Sequence, residues 1–327
     1  MKKYRTILSL AILFIILAAC KTPEWGQVTA LQVTETATQA PTEMPSKAIV
    51  TLPALAAATA TTVLPTTVPS TVEAPTPSMA PEAWKSMPII PVIPARMVAV
   101  YRAGLAAGRD PTHFSKIGDC QNITTFFLAS FDNPKYYRLG ERYAALKPTI
   151  DHFAGSWSRE SLAVKPGENV AAALSPLWAD PKHCKPGETP IACEIRVYNP
   201  SIVTVSMEES WSGDIAAYNK YLRQIVSYIL SQNVVPILAT RAELPGSKIS
   251  INETVARVAY DYQVPLWNFW AAANTLPSHG LTTDGFHLTQ ALYNFDDPET
   301  MKAGWPWRNL TALQALDAVY RAVSSSP

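Results

Sequence analysis

Two short segments carry the side chains best suited to chemistry in this 327-residue chain. Ile117-Gly118-Asp119-Cys120 puts a thiol at the end of a short apolar run, and Thr283-Asp284-Gly285-Phe286-His287-Leu288-Thr289 puts a carboxylate three residues before an imidazole. A thiolate is a nucleophile, and a neighbouring histidine can generate it. An acid three residues before a histidine can reach the ring nitrogen that faces away from a nucleophile, fixing tautomer and orientation. Each segment also has a plainer reading: Cys120 as a small buried apolar residue, Asp284 as a turn cap beside a surface histidine. A metal site is disfavoured, because the chain has only five histidines and four cysteines and few other ligands accompany His287. Of the cysteines, Cys184 and Cys193 bracket Lys-Pro-Gly-Glu-Thr-Pro-Ile-Ala, a turn-rich loop that can bring its ends together. They are the expected disulfide, in keeping with an exported, oxidising setting.

These residues need elements to position them, and the hydrophobic pattern supplies a set. Phe114–Ile117, Ile202–Val205, Val234–Ala239 and Val264–Phe269 read as short buried strands. Between and around them, Met97–Ala107, Asn252–Tyr262 and Leu310–Val323 have helical spacing. Asp214–Leu230 places Ile215, Tyr218, Leu222, Ile225, Val226 and Ile229 on one helix face. Strands alternating with helices imply βαβ units and a parallel sheet with helices on both faces. In such sheets the chemistry sits at the carboxyl ends of the strands, which is where Cys120 falls.

The order of the segments, Gly-Asp-Cys after the first strand and Asp-x-x-His before the last helix, resembles the GDSL/SGNH hydrolase family, and the intervening α/β alternation extends the resemblance over the whole domain. The resemblance implies a three-layer, doubly wound parallel sheet of flavodoxin-like type. It implies Cys120 as nucleophile where the family has serine, His287 as general base and Asp284 as its orienting acid. The expected oxyanion hole is the Cys120 N–H, a glycine matched here by Gly155 in Phe153-Ala154-Gly155-Ser156, and a position after the central strand where the family has asparagine. Glu208 stands at that last position, and an ionised carboxylate donates no hydrogen bond; the loss of one oxyanion donor typically costs about 2.7–4 kcal/mol. Two functions follow: a hydrolase of carboxylic esters or thioesters acting on an acylated small molecule or polymer, with no cofactor, or a non-catalytic relative that binds a glycan, lipid or protein through the same cleft.

At the N-terminus, Lys2, Lys3 and Arg5 precede the apolar run Ile7–Leu17, which is too short to span a bilayer well. Leu17-Ala18-Ala19-Cys20 resembles the lipobox of bacterial lipoproteins; an ordinary secretory signal is the plainer alternative. The lipobox implies removal of residues 1–19, lipidation of Cys20, and a place in the bacterial cell envelope, anchored outside the cytoplasm. Each buried acyl CH₂ contributes about 0.8 kcal/mol to such an anchor. With Cys20 acylated and Cys184 paired to Cys193, Cys120 is the odd thiol. Residues 20–83 are rich in Thr, Pro, Ala and Val, with Trp25 their only aromatic residue. That composition builds no core and reads as a disordered stalk, so the folded domain is expected over 84–327. Lys plus Arg (27) nearly equals Asp plus Glu (26), a balance that argues against a nucleic-acid partner. Asn122, Asn252 and Asn309 open Asn-x-Thr sequons that a bacterial lipobox makes coincidental. Nine tryptophans, seven of them from Trp157 onward, include candidates for lining a groove for sugars or acyl chains.

Overall fold

The computed structural model describes residues 79–208, 213–247 and 250–325. The signal-like residues 1–19, Cys20, the stalk as far as residue 78, and Trp211 lie outside them. Met79 and Trp84 are both buried, so the described domain begins slightly before the expected boundary.

Four strands form a parallel sheet in the order β1 (Asp110–Gly118), β3 (Pro200–Ser206), β4 (Val235–Ala239), β5 (Leu266–Trp267). A parallel strand pair needs a crossover, and crossovers are right-handed. Helix α4 (Ile215–Ser231) therefore joins β3 to β4, and α5 (Asn252–Tyr262) joins β4 to β5 on the same face, where the two helices pack together. Helices α1 (Arg96–Ala106) and α7 (Gly304–Ser324) pack on each other, and α1 also lies on β3 and β4. Every residue of β3 and β4 is buried, as strands covered on both faces must be. Helix α4 starts where Asp214 accepts the Ala217 N–H at 2.9 Å, and it buries Tyr218, Leu222, Ile225, Val226 and Ile229, the stripe read from the sequence.

The outer side of β1 carries a further segment that the sequence pattern does not announce. Gly118 pairs in parallel with Val164, with Gly118 N–H donating to Ala163 O at 3.0 Å and Lys165 N–H to Gly118 O at 3.3 Å. A two-residue parallel pair, β2 (Tyr137–Arg138) with β6 (Tyr293–Asn294), forms a second small sheet.

Three expectations about elements need correction. The strand expected over 264–269 keeps only Leu266–Trp267, because Asn268 accepts the Ala271 N–H and starts α6 (Phe269–Ala273). Helix α7 begins at Gly304, six residues before the expected start; Pro306 fits its first turn, where no intrahelical N–H bond is lost. Cys193 does pair with Cys184, but from within helix α3 (Pro190–Tyr198), which Thr189 caps and Pro190 opens. α2 (Lys147–His152) precedes the loop of Gly155. The three sequon asparagines are fully buried, so their role is structural. Asn122 Nδ2 donates to Ser206 O at 2.7 Å, Asn252 brackets Arg241, and Asn309 Nδ2 donates to Phe126 O at 2.9 Å. Among the described residues no helix is long and apolar enough to cross a membrane.

Candidate active site

The site is built on the ends of β1 and β3. Strand β1 ends at Gly118, where a Cβ would overlap the Asn122 side chain and the Ser206 carbonyl, so only glycine lets the two strand ends approach. Asp119 follows, with no solvent exposure. Its Oδ1 accepts the Gln121 N–H at 3.1 Å and its Oδ2 the Glu208 N–H at 2.6 Å. One carboxylate thus caps the turn Cys120–Asn122 and ties it to the residue two past β3. Cys120 opens that turn, partly exposed and outside any disulfide.

The loop before α7 is shaped with equal economy. Leu281 bridges Leu288, and Thr282 N–H donates to His287 O at 2.8 Å, so the loop closes on itself. Gly285 makes the reversal at φ +71°. Asp284 Oδ1 accepts Thr282 Oγ1–H at 2.6 Å and the N–H groups of Phe286 and His287 at 2.9 Å each. Its Oδ2 lies 2.6 Å from His287 Nδ1. Partial burial pushes the Asp284 carboxyl up, but these hydrogen bonds outweigh it and hold the group well below the usual carboxylate range. The aspartate is therefore ionised at neutral pH and accepts the hydrogen bond of Nδ1–H, an arrangement that leaves Nε2 unengaged by it. The two loops meet: Gln121 Nε2 donates to Phe286 O at 2.8 Å, linking the residue after Cys120 to the residue before His287.

The two remaining oxyanion candidates lie elsewhere. Gly155 gives its N–H to Asp132 Oδ1 at 2.7 Å. Its neighbours His152 and Ser156 bond Pro111 O and Thr112 O, at the opposite end of β1 from Cys120. The pairing of Val164 with Gly118, the last residue of β1, puts the turn at Gly167, φ +72°, three residues past that carboxyl end of the strand. Glu208 turns its carboxylate inward. Oε1 accepts Ser206 Oγ–H at 3.0 Å and pairs with Arg308 Nη2 at 2.8 Å. Arg308 is fully buried on α7, its guanidinium 5.0–5.3 Å from the ring centres of Phe127, Phe269 and Trp267. Glu208 is thus half of a buried ion pair. It supplies no hydrogen-bond donor, and its charge is matched within the core.

Neither Arg308 nor Glu168 belongs to a motif, and sequence reading passed over both. Glu168 follows Gly167, has no solvent exposure, and neither of its carboxylate oxygens has a hydrogen-bond partner among the described residues. Desolvation pushes its pKa up to about 8; Lys165 opposes the shift and Asp119 adds to it.

Fold and site together define a parallel α/β domain with a thiol and an acid–histidine pair on adjoining loops, both Cys120 and Glu208 lying past the carboxyl ends of their strands. No protein-family model matches the chain, and no curated protein does. Among solved structures it is similar to an acetyl-xylooligosaccharide esterase from Geobacillus stearmophilus (14% identity, TM-score 0.39, 64% of this chain and 94% of that one). It is also similar to a putative lipolytic protein of the G-D-S-L family from Desulfitobacterium hafniense (13%, 0.34, 62% and 99%). A third, a peptidoglycan O-acetylesterase, has 14% identity and a TM-score of 0.29; the match spans 39% of this chain and 40% of that one.

Proposed function

We propose that the domain is an SGNH-like hydrolase of carboxylic esters or thioesters, with Cys120 as nucleophile, His287 as base and Asp284 as the acid that orients it. The observation that carries this reading is the Asp284–His287 pair at 2.6 Å on a loop hydrogen-bonded to the Cys120 turn. His287 Nε2 takes the thiol proton as Cys120 Sγ attacks the acyl carbon. The tetrahedral intermediate collapses to a thioester on Cys120, and the leaving alcohol or thiol takes the proton from His287. Water then gives a proton to His287 and attacks the thioester; the carboxylic acid leaves and Cys120 regains its proton. The N–H groups of Cys120 and Gly167 are the donors we assign to the oxyanion. Lipidation at Cys20 would hold this activity at the bacterial envelope, outside the cytoplasm, near acylated polymers.

The inward-facing Glu208 favours a second reading, a binding module without turnover, because the site lacks the side-chain amide donor at that position. A panel of short-chain esters and thioesters decides between them. Hydrolysis by the purified protein that is lost in both Cys120→Ala and His287→Ala establishes the cysteine hydrolase. Hydrolysis unaffected by either variant removes the assignment of these residues.

A further inference from the structure

The loop before α3 is fixed twice over, once by the Cys184–Cys193 bond and once by hydrogen bonds that involve no disulfide. Cys184 N–H donates to Asp180 O at 2.8 Å, and Asp180 Oδ1 accepts the Lys182 N–H at 2.9 Å. Arg196, one turn along α3 from Cys193, straps the loop to the helix. Its Nη2 donates to His183 O at 3.0 Å, and its Nε and Nη2 hold the two oxygens of Glu188 at 2.7 Å each. Glu188 Oε2 in turn accepts the Lys185 N–H at 2.8 Å. With these bonds in place, opening the disulfide leaves the loop seated against α3 and the two sulfurs near each other, so the bond can close again.

The two sulfurs have different surroundings. Cys193 is fully buried in the first turn of α3, and Arg196 Nη2 lies 3.8 Å from its Sγ. Cys184 is partly exposed, on a turn where Lys182, His183 and Lys185 are exposed. The nearby acids are engaged: Asp180 Oδ2 pairs with His183 Nδ1 at 2.7 Å, and Glu188, whose carboxylate lies within 4.8 Å of both sulfurs, is matched by Arg196. That leaves Lys182 and Lys185 to draw an anion toward Cys184. Thiol–disulfide exchange has the polarity that this arrangement suits. The attacking species is a thiolate, the sulfur attacked must be accessible, and the departing sulfur leaves faster the better its negative charge is held. A guanidinium and the N-terminal turn of a helix both hold a thiolate. Attack at Cys184 expels Cys193 into that setting, whereas attack at Cys193 is closed off by burial.

We propose that Cys184 is a site of reversible thiol exchange with an anionic thiol of low molecular mass. The incoming thiolate attacks Cys184 Sγ, the Sγ–Sγ bond breaks, Cys193 leaves as thiolate beside Arg196, and the small thiol stays on Cys184 as a mixed disulfide. The reverse step, attack by Cys193 on Cys184, restores the loop and releases the small thiolate, so the cycle consumes no oxidant or reductant. The inference is independent of the hydrolase reading. To test it, the full-length protein is incubated without oxygen in reduced glutathione, which reacts with disulfides and not with the free thiol of Cys120. Early samples are quenched with N-ethylmaleimide and digested for mass spectrometry. Glutathione is expected on Cys184 and maleimide on Cys193, with the near-ultraviolet circular dichroism of the native fold retained. Arg196→Gln should slow the reaction roughly tenfold. Lys182→Gln combined with Lys185→Gln should slow it more with glutathione, whose thiolate form carries additional negative charge, than with 2-mercaptoethanol. Glutathione on Cys193, equal labelling of the two cysteines, or reaction only after unfolding in urea overturns the site. So does an Arg196→Gln rate equal to that of the wild type.

Discussion

A nucleophilic Cys120, as proposed, would differ from an inert buried thiol in one measurable respect, the ease with which it ionises. A thiol paired with an imidazolium reacts as thiolate well below the pKa of about 8.5 that an isolated cysteine shows. Alkylation of Cys120 by iodoacetamide near pH 6.5 is therefore expected to run roughly tenfold or more faster than that of a model thiol, and His287→Ala should bring it back to the ordinary rate. An ordinary rate in the unmodified protein, unchanged in the variant, would remove the ion pair from the mechanism. Glu168 makes a different prediction. Its folded pKa, about 8, is raised above the usual carboxylate value. Between those two values the native protein holds a proton that the unfolded chain has lost, so stability falls as pH rises. The contribution is complete below the ordinary carboxylate range and gone by about pH 8. Glu168→Gln keeps the shape without the charge. It is expected to match the wild type in denaturant unfolding near pH 4.5 and to exceed it at pH 8 by on the order of 2 kcal/mol. A constant difference across that range would mean that Glu168 is ionised in the native state.

Elements converge on the site because two strand ends and one helix are tied by charge. Glu208 follows β3, Arg308 sits in α7, and their contact at 2.8 Å is buried at both ends. Removing one partner leaves an uncompensated charge in the core, which typically costs about 3–5 kcal/mol. Glu208→Gln should lower stability by that amount in urea unfolding, and Glu208→Leu combined with Arg308→Met should recover most of it. A single variant as stable as the wild type would show that the pair does not form. This connection also marks where sequence reading ran out. The parallel sheet and the apolar face of α4 were legible because burial on both sides of a strand, or on one side of a helix, leaves a periodic trace. The Asp284–His287 pair was legible because both members lie three residues apart on one turn. The oxyanion candidates were not. Gly155 and Gly167 look alike as turn glycines, and only the pairing of Val164 with Gly118 distinguishes the end of β1 that each attends. Glu208 does follow β3, but its orientation depends on Arg308, a hundred residues away in a helix whose sequence pattern does not predict a fully buried guanidinium.

At the scale of the whole molecule, the domain has a nearly balanced charge and a disulfide that fastens the loop at Cys184 to α3. A structural disulfide persists in oxidising compartments, the setting that export under the proposed N-terminal signal would provide. The lipobox-like Leu17-Ala18-Ala19-Cys20 makes the further claim that export ends in anchoring. One acyl chain gives marginal, reversible membrane binding, whereas two or more hold a protein firmly. If Cys20 carries the multiple chains that the lipobox implies, the wild-type protein should stay with the membrane fraction through a high-salt wash and be released only by detergent. Cys20→Ala should then move it to the soluble fraction, or leave an uncleaved precursor of higher mass, without changing hydrolysis of a soluble ester by the folded domain. Mature protein in the soluble fraction for both the wild type and Cys20→Ala would make the segment an ordinary secretory signal. The proposed thiol site would then act on diffusing substrates and not on a polymer fixed beside the membrane.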